Sequence, residues 1–192
     1  MLFNSESSQV EAMLQGILKH NPALSTALAT DGDQAQGMTQ LMEPVLSVRD
    51  RCQDTDRFIQ AVSIGRSIFL VTNLSAGGPM QATRPASSWL FGRGSACAVS
   101  VAEPSVSRRH AVIGYRGDAE FFIMDVGSRN GTQVNSVAIT AGTRQRLQDG
   151  TLIQLGDLRV EFFIARTRTD LSHLDLTDGE GPTEATGLGS TW

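Results

Sequence analysis

Ser107, His110 and Asp125 are the residue types from which a hydrolase builds a nucleophile, a base and an orienting acid. Ser107, however, lacks the strained glycine-flanked elbow such a nucleophile needs, and no oxyanion loop is recognisable nearby. The same region carries Arg93, Arg108 and Arg129, whose guanidinium groups favour anions. Residues 65–166 hold eleven Arg against seven acids, a net +4, while residues 1–64 and 167–192 each carry −4. A basic centre between acidic flanks suits an anionic ligand of modest size. Nucleic acid fits less well, because the arginines are scattered and the flanks would repel a polyanion. Cys52 and Cys97 make neither a disulfide framework nor a metal set. No metal, nucleotide or redox cofactor is implied.

These residues must be held by β-structure. From Ser67 onward short apolar and β-branched runs recur, separated by Gly, Pro, Asn or Asp. The runs are 67–74, 80–83, 88–91, 98–101, 110–115, 120–125, 132–134, 143–147, 151–155 and 158–164, a pattern that predicts a mainly β sandwich. Ahead of it, Val10, Met13, Leu14, Ile17 and Leu18 predict an amphipathic helix over 8–20, ended by Asn21-Pro22. Helical spacing returns from about Met38 to Gln60 through Leu41, Met42, Val45, Leu46, Arg49, Cys52 and Ile59. So short a helical segment cannot bury its apolar faces alone. The helices pack on each other, on a partner, or on a second copy, so self-association through residues 1–64 is one expectation. After Ala165 the composition turns polar and acidic, which predicts a flexible tail over 167–192. No secretory signal, lipidation signal or membrane-length apolar run is readable, so neither membrane insertion nor secretion is expected and a cytoplasmic location is the default.

Four segments in the predicted sandwich stand in a telling order: Gly92-Arg93; Ser107-Arg108-Arg109-His110; Ser128-Arg129-Asn130-Gly131-Thr132 with Val134-Asn135; and Leu147-Gln148-Asp149-Gly150 with Ile153-Gln154-Leu155-Gly156. Together they resemble the signature of the forkhead-associated (FHA) family: Gly-Arg, Ser-Arg-x-His, Ser-x-Asn-Gly-Thr-x-Val-Asn and Leu-x-x-Gly-x-x-Ile-x-Leu-Gly. The resemblance covers residues 66–166 and implies an antiparallel FHA-like β-sandwich that binds phosphothreonine peptides and is not an enzyme. It places the phosphate on Arg93, Ser107 and Arg108, with Arg129 and Asn130 on the neighbouring loop and Asn130 holding the ligand backbone. A phosphothreonine offers about −1.5 to −2 charges and three strong acceptor oxygens, which a planar guanidinium clamps better than an ammonium does. Gly92, His110, Gly131 and Asn135 are expected to support the site structurally, His110 by bracing the loops and Gly92 by allowing close backbone packing. Asn130-Gly131 also has a turn reading of its own.

The chain departs from the pattern in three places. Cys97-Ala98 stands where the family often has Asn-Asp, Ser136 where glycine is usual, and Thr151 where Asp is common. These touch loop structure more than the phosphate clamp, and they leave the residues preferred around the phosphothreonine open. The whole reads as a phosphothreonine-binding adaptor in signalling or regulated assembly. The alternative is an assembly subunit whose sandwich makes protein contacts without phosphate. Tail threonines, Thr177 foremost, are candidate ligands for the chain's own pocket once phosphorylated.

Overall fold

The structure, a computed structural model, describes residues 47–64, 67–74, 80–117 and 120–165, together with Gln15 and Lys19. Apart from those two residues, the helix expected over 8–20 lies outside the described residues, as do the first part of the 38–60 segment and the acidic tail. Twelve strands follow one another: β1 (Phe58–Ile64), β2 (Ser67–Thr72), β3 (Gln81–Ala82), β4 (Ser88–Gly92), β5 (Val99–Ser100), β6 (Ala111–Arg116), β7 (Glu120–Asp125), β8 (Thr132–Val134), β9 (Val137–Ala138), β10 (Arg144–Leu147), β11 (Thr151–Leu155) and β12 (Leu158–Ala165). They form a seven-stranded sheet, β3-β2-β1-β12-β11-β8-β9, and a five-stranded sheet, β10-β7-β6-β4-β5.

The two sheets make a β-sandwich because one face of each is apolar. Along β7 and β11 burial alternates residue by residue, as a strand with one core-facing side requires. Trp89, Phe91, Ile113, Phe121 and Ile123 from one sheet meet Ile59, Leu70, Ile153, Val160 and Phe162 from the other in a single cluster. The Phe121 and Phe162 rings join the sheets at 5.5 Å between centroids, tilted by 59°, a favoured aromatic geometry.

Two expectations need correction. The sheets are of mixed orientation, not purely antiparallel: β1 runs parallel to β12, and β4 parallel to β5. The helical reading also gives way at Phe58, since Phe58–Ile64 is a central strand between β2 and β12. Phe58, Ile59, Gln60, Ala61 and Val62 are all buried, and a strand covered on both faces loses the alternation that would distinguish it from a helix. Helical character survives at residues 47–51. Those residues are fastened to the sandwich by Arg51, whose guanidinium lies 2.6 Å from the Asp149 carboxylate and 4.5 Å from the centre of the Phe163 ring. The buried Glu161 carboxylate on β12 accepts the backbone N–H groups of Gln53 (2.9 Å) and Asp54 (3.0 Å). Among the described residues no helix is long and apolar enough to cross a membrane.

The β8–β9 hairpin turns on Asn135 and Ser136, with φ of 49° and 66°. Asn135 tolerates this region and ties the turn to β11 by accepting the Leu152 N–H at 2.9 Å. Ser136 gains no such bond and pays the left-handed penalty of an L-residue. Ser136→Gly should therefore stabilise the protein by about 0.5–1 kcal/mol, measured as a higher urea midpoint with an unchanged slope.

Candidate functional site

The end of β4 and the 107–110 turn run side by side. His110 N–H donates to Phe91 O (2.9 Å), Arg93 N–H to Ser107 O (2.9 Å) and Gly94 N–H to Arg108 O (3.0 Å). Only residues without a Cβ let the two backbones come this close. A Cβ on Gly92 would stand 2.5 Å from Arg108 O, and one on Gly94 2.8 Å from the same atom. The Arg93 side chain emerges from this lacing exposed, with Nε donating to Val106 O at 3.4 Å.

His110 joins the two loops that matter. Its ring is fully buried; Nδ1 accepts the Ser107 N–H at 3.0 Å, and Nε2 lies 3.0 Å from Gly131 O. Because Nδ1 accepts, the proton belongs on Nε2, which donates to the carbonyl. Burial pushes the His110 pKa below its ordinary 6.5, against the Gly131 hydrogen bond and the Asp125 charge. A proton on Nδ1 would set two N–H groups facing each other. Since the folded pKa is the lower one, the unfolded chain takes up the proton first. His110 thus contributes stability that is full above about pH 6.5 and is lost as pH falls from there through the folded pKa. Urea midpoints measured from pH 7 to 5 should decline in the parent, and His110→Gln should remove that part of the decline.

The next loop is organised by Asp125. One carboxylate oxygen accepts the N–H groups of Gly127 and Ser128, both at 2.8 Å; the other accepts the hydroxyls of Ser128 (2.6 Å) and Thr132 (2.7 Å). Burial alone would raise its pKa, but these four donors outweigh it and hold the carboxyl below its usual 3.8. No hydrolase triad is assembled, because Asp125 is spent on its own loop and both His110 nitrogens face backbone groups.

From the end of β4 and these two turns Arg93, Ser107, Arg108, Arg129 and Asn130 converge on one cleft of about 1100 Å³. Ser107 Oγ accepts the Arg129 N–H at 2.9 Å, which leaves its own proton to donate. The Asn130 amide donates to Ser105 O at 2.8 Å and keeps its oxygen for another donor. Gly92, His110 and Gly131 stand behind the cleft, Gly131 in the left-handed region at φ 75°. Asn135 is not in its wall and serves the β8–β9 turn. Arg109 and Cys97 also line the cleft, and neither was among the sequence candidates. The Cys97 thiol lies 3.2 Å from Arg108 O; burial raises its pKa, with the Gly94 hydrogen bond and the positive charge of Arg109 opposing. Arg109 occupies the unspecified position of Ser-Arg-x-His, so no motif marked it.

The family model for the FHA domain matches residues 89–156, the span that contains the whole cleft. Residues 89–156 are an FHA domain. Protein FraH of Nostoc sp. is 51% identical over 51 residues, which is 27% of this chain and 17% of FraH. Human kanadaptin is 38% identical over 93 residues, 42% of this chain and 12% of kanadaptin. The match therefore spans only a small part of either curated relative. A solved structure from work on phosphothreonine-dependent FHA domain interactions is 30% identical, with a TM-score of 0.38, over 44% of this chain and 83% of its own. FHA domains are protein-interaction modules; the first three motifs of this one lie at the loops described above, and the fourth spans the end of β10, the turn after it and β11.

Proposed function

We propose that this FHA domain binds phosphothreonine segments of partner proteins and that the chain acts as an adaptor recruiting them. The observation that carries this reading is the convergence of Arg93, Ser107, Arg108, Arg129 and Asn130 on one cleft with no acid in its wall. Arg93 and Arg108 supply charge for a dianionic phosphate, the Ser107 hydroxyl donates to one of its oxygens, and Asn130 accepts from the peptide backbone. Such charge-assisted hydrogen bonds are about twice as strong as neutral ones. Threonine is favoured over serine through its extra methyl, worth about 0.8 kcal/mol when buried. Residues 1–64 add recruitment or self-association to this role. The test is calorimetric titration of the full chain with a degenerate phosphothreonine peptide mixture, its phosphoserine counterpart and the unphosphorylated mixture. Micromolar binding of the first, weaker binding of the second and little of the third are expected. Equal binding of phosphorylated and unphosphorylated mixtures would refute the reading and favour a phosphate-independent contact surface.

A further inference from the structure

Four guanidinium groups line the cleft, those of Arg93, Arg108, Arg109 and Arg129, and among the described residues none of them makes an ion pair. No Asp or Glu lines the cleft with them. Three acids stand in the neighbouring loops, Glu103, Asp125 and Asp157, the last with its backbone N–H on Ser105 Oγ at 2.9 Å, and among the described residues none of them forms an ion pair with an arginine of the cleft. Asp125 holds its own turn, and Glu103 accepts from the backbone N–H (3.4 Å) and hydroxyl (3.3 Å) of Ser105. A single phosphothreonine brings about two negative charges, which match about half of the charge carried by the four guanidinium groups of the cleft. Arg109 and Arg129 leave from different turns, the 107–110 turn and the loop after Asp125. The four arginines of the cleft thus come from three segments, the end of β4, the 107–110 turn and the loop after Asp125.

Resting on the phosphothreonine reading above, we propose that the cleft selects phosphothreonine segments carrying a further anionic group close to the phosphothreonine, with Arg109 as a specificity-determining residue for it. The second anion is an acidic side chain or a second phosphate; the chemistry of recognition, a guanidinium fork on paired oxygens, is the same for both. Segments with basic residues in those positions are rejected, because like charges are brought together in the encounter and in the bound state.

The experiment is fluorescence anisotropy on the full chain with one phosphothreonine peptide backbone in five versions. The flanks are alanine, aspartate/glutamate, or lysine; a fourth version has alanine flanks and a second phosphothreonine; the fifth is the acidic version without phosphate. Expected at low ionic strength are about tenfold tighter binding for acidic than for alanine flanks and a larger gap between acidic and lysine flanks. The acidic advantage should shrink as salt is raised. The fourth version shows whether a second phosphate serves better than carboxylates. Arg109→Gln should bring the ratio of acidic to alanine affinity towards one. Equal affinity of the three flank versions in the parent would overturn the proposal while leaving phosphothreonine binding intact, as would an unchanged ratio in Arg109→Gln for the part assigned to Arg109. Binding of the unphosphorylated acidic peptide as tight as its phosphorylated form would instead overturn the phosphothreonine reading on which the proposal rests.

Discussion

Arg93→Ala should lower phosphopeptide affinity by more than a hundredfold while leaving the fold intact. The side chain is exposed and makes one long hydrogen bond to Val106 O at 3.4 Å, so its removal costs the free protein little. In the complex its planar fork would engage two phosphate oxygens, and hydrogen bonds to charged groups contribute about 1.5–3 kcal/mol each. About 3 kcal/mol in all corresponds to a little over two powers of ten in the dissociation constant. Arg93→Lys should recover only part of this, since an ammonium is a point charge without the fork. Affinities from calorimetry and unfolding midpoints from urea titration together check the result. A large drop in stability would mean that Arg93 is structural.

Asp125→Ala is expected to be the most destabilising single change near the cleft. It strips four donors of their acceptor at once, and Thr132, one of the hydroxyl donors, is buried to 1% exposure. With an unsatisfied buried polar group costing about 1–3 kcal/mol and part of the loop able to reach water, the net loss is about 3–4 kcal/mol. That is a large fraction of a domain's usual margin of about 5–15 kcal/mol. Asp125→Asn should be milder, at roughly 1 kcal/mol. Its amide oxygen keeps the two backbone N–H groups, and the two hydroxyls reverse to accept from the amide nitrogen. Affinity for phosphopeptide should fall along with stability in Asp125→Ala, because Arg129 and Asn130 ride on the same loop. The carboxyl also sets an acid limit. Its folded pKa lies below 3.8, so the stability it contributes is present above that value and is lost as pH falls through the folded pKa. Asp125→Asn should lack this component, and urea midpoints between pH 5 and 2 would show it. This window opens at a lower pH than that of His110, which opens below pH 6.5.

Most strands were legible in the sequence, because short apolar and β-branched runs such as Glu120–Asp125 and Thr151–Leu155, set between turn residues, are local signals. Phe58–Ile64 was not, because a strand buried on both faces shows no alternation, and Ile59 also fits the helical spacing that precedes it. The parallel pairings of β1 with β12 and β4 with β5 join residues far apart or linked through irregular loops, and no local pattern announces them. Glu161 left a faint signal, a carboxylate between the apolar Val160 and Phe162, which implies a buried partner. The partners it found, two backbone N–H groups at residues 53 and 54, follow only from the fold. At the cleft, motif order brought Arg93, Ser107, Arg108, Arg129 and Asn130 together on the page as the fold does in space. Arg109 escaped notice because its neighbours, not its own position, carry the motif. The role of Gly94 depends on a carbonyl fourteen residues away in sequence, at Arg108, which spacing alone does not reveal.

The proposed function has phosphate bound in this cleft by these side chains. Its most direct test is an NMR titration of the isotopically labelled chain with one peptide in phosphothreonine and threonine forms. The phosphorylated form is expected to shift the backbone amides of Arg93, Ser107, Arg108, Arg129 and Asn130, and the Asn130 side-chain amide, at micromolar concentrations. The unphosphorylated form should leave them unmoved. Shifts confined to the sheet faces, or the same shifts with both peptides, would contradict it.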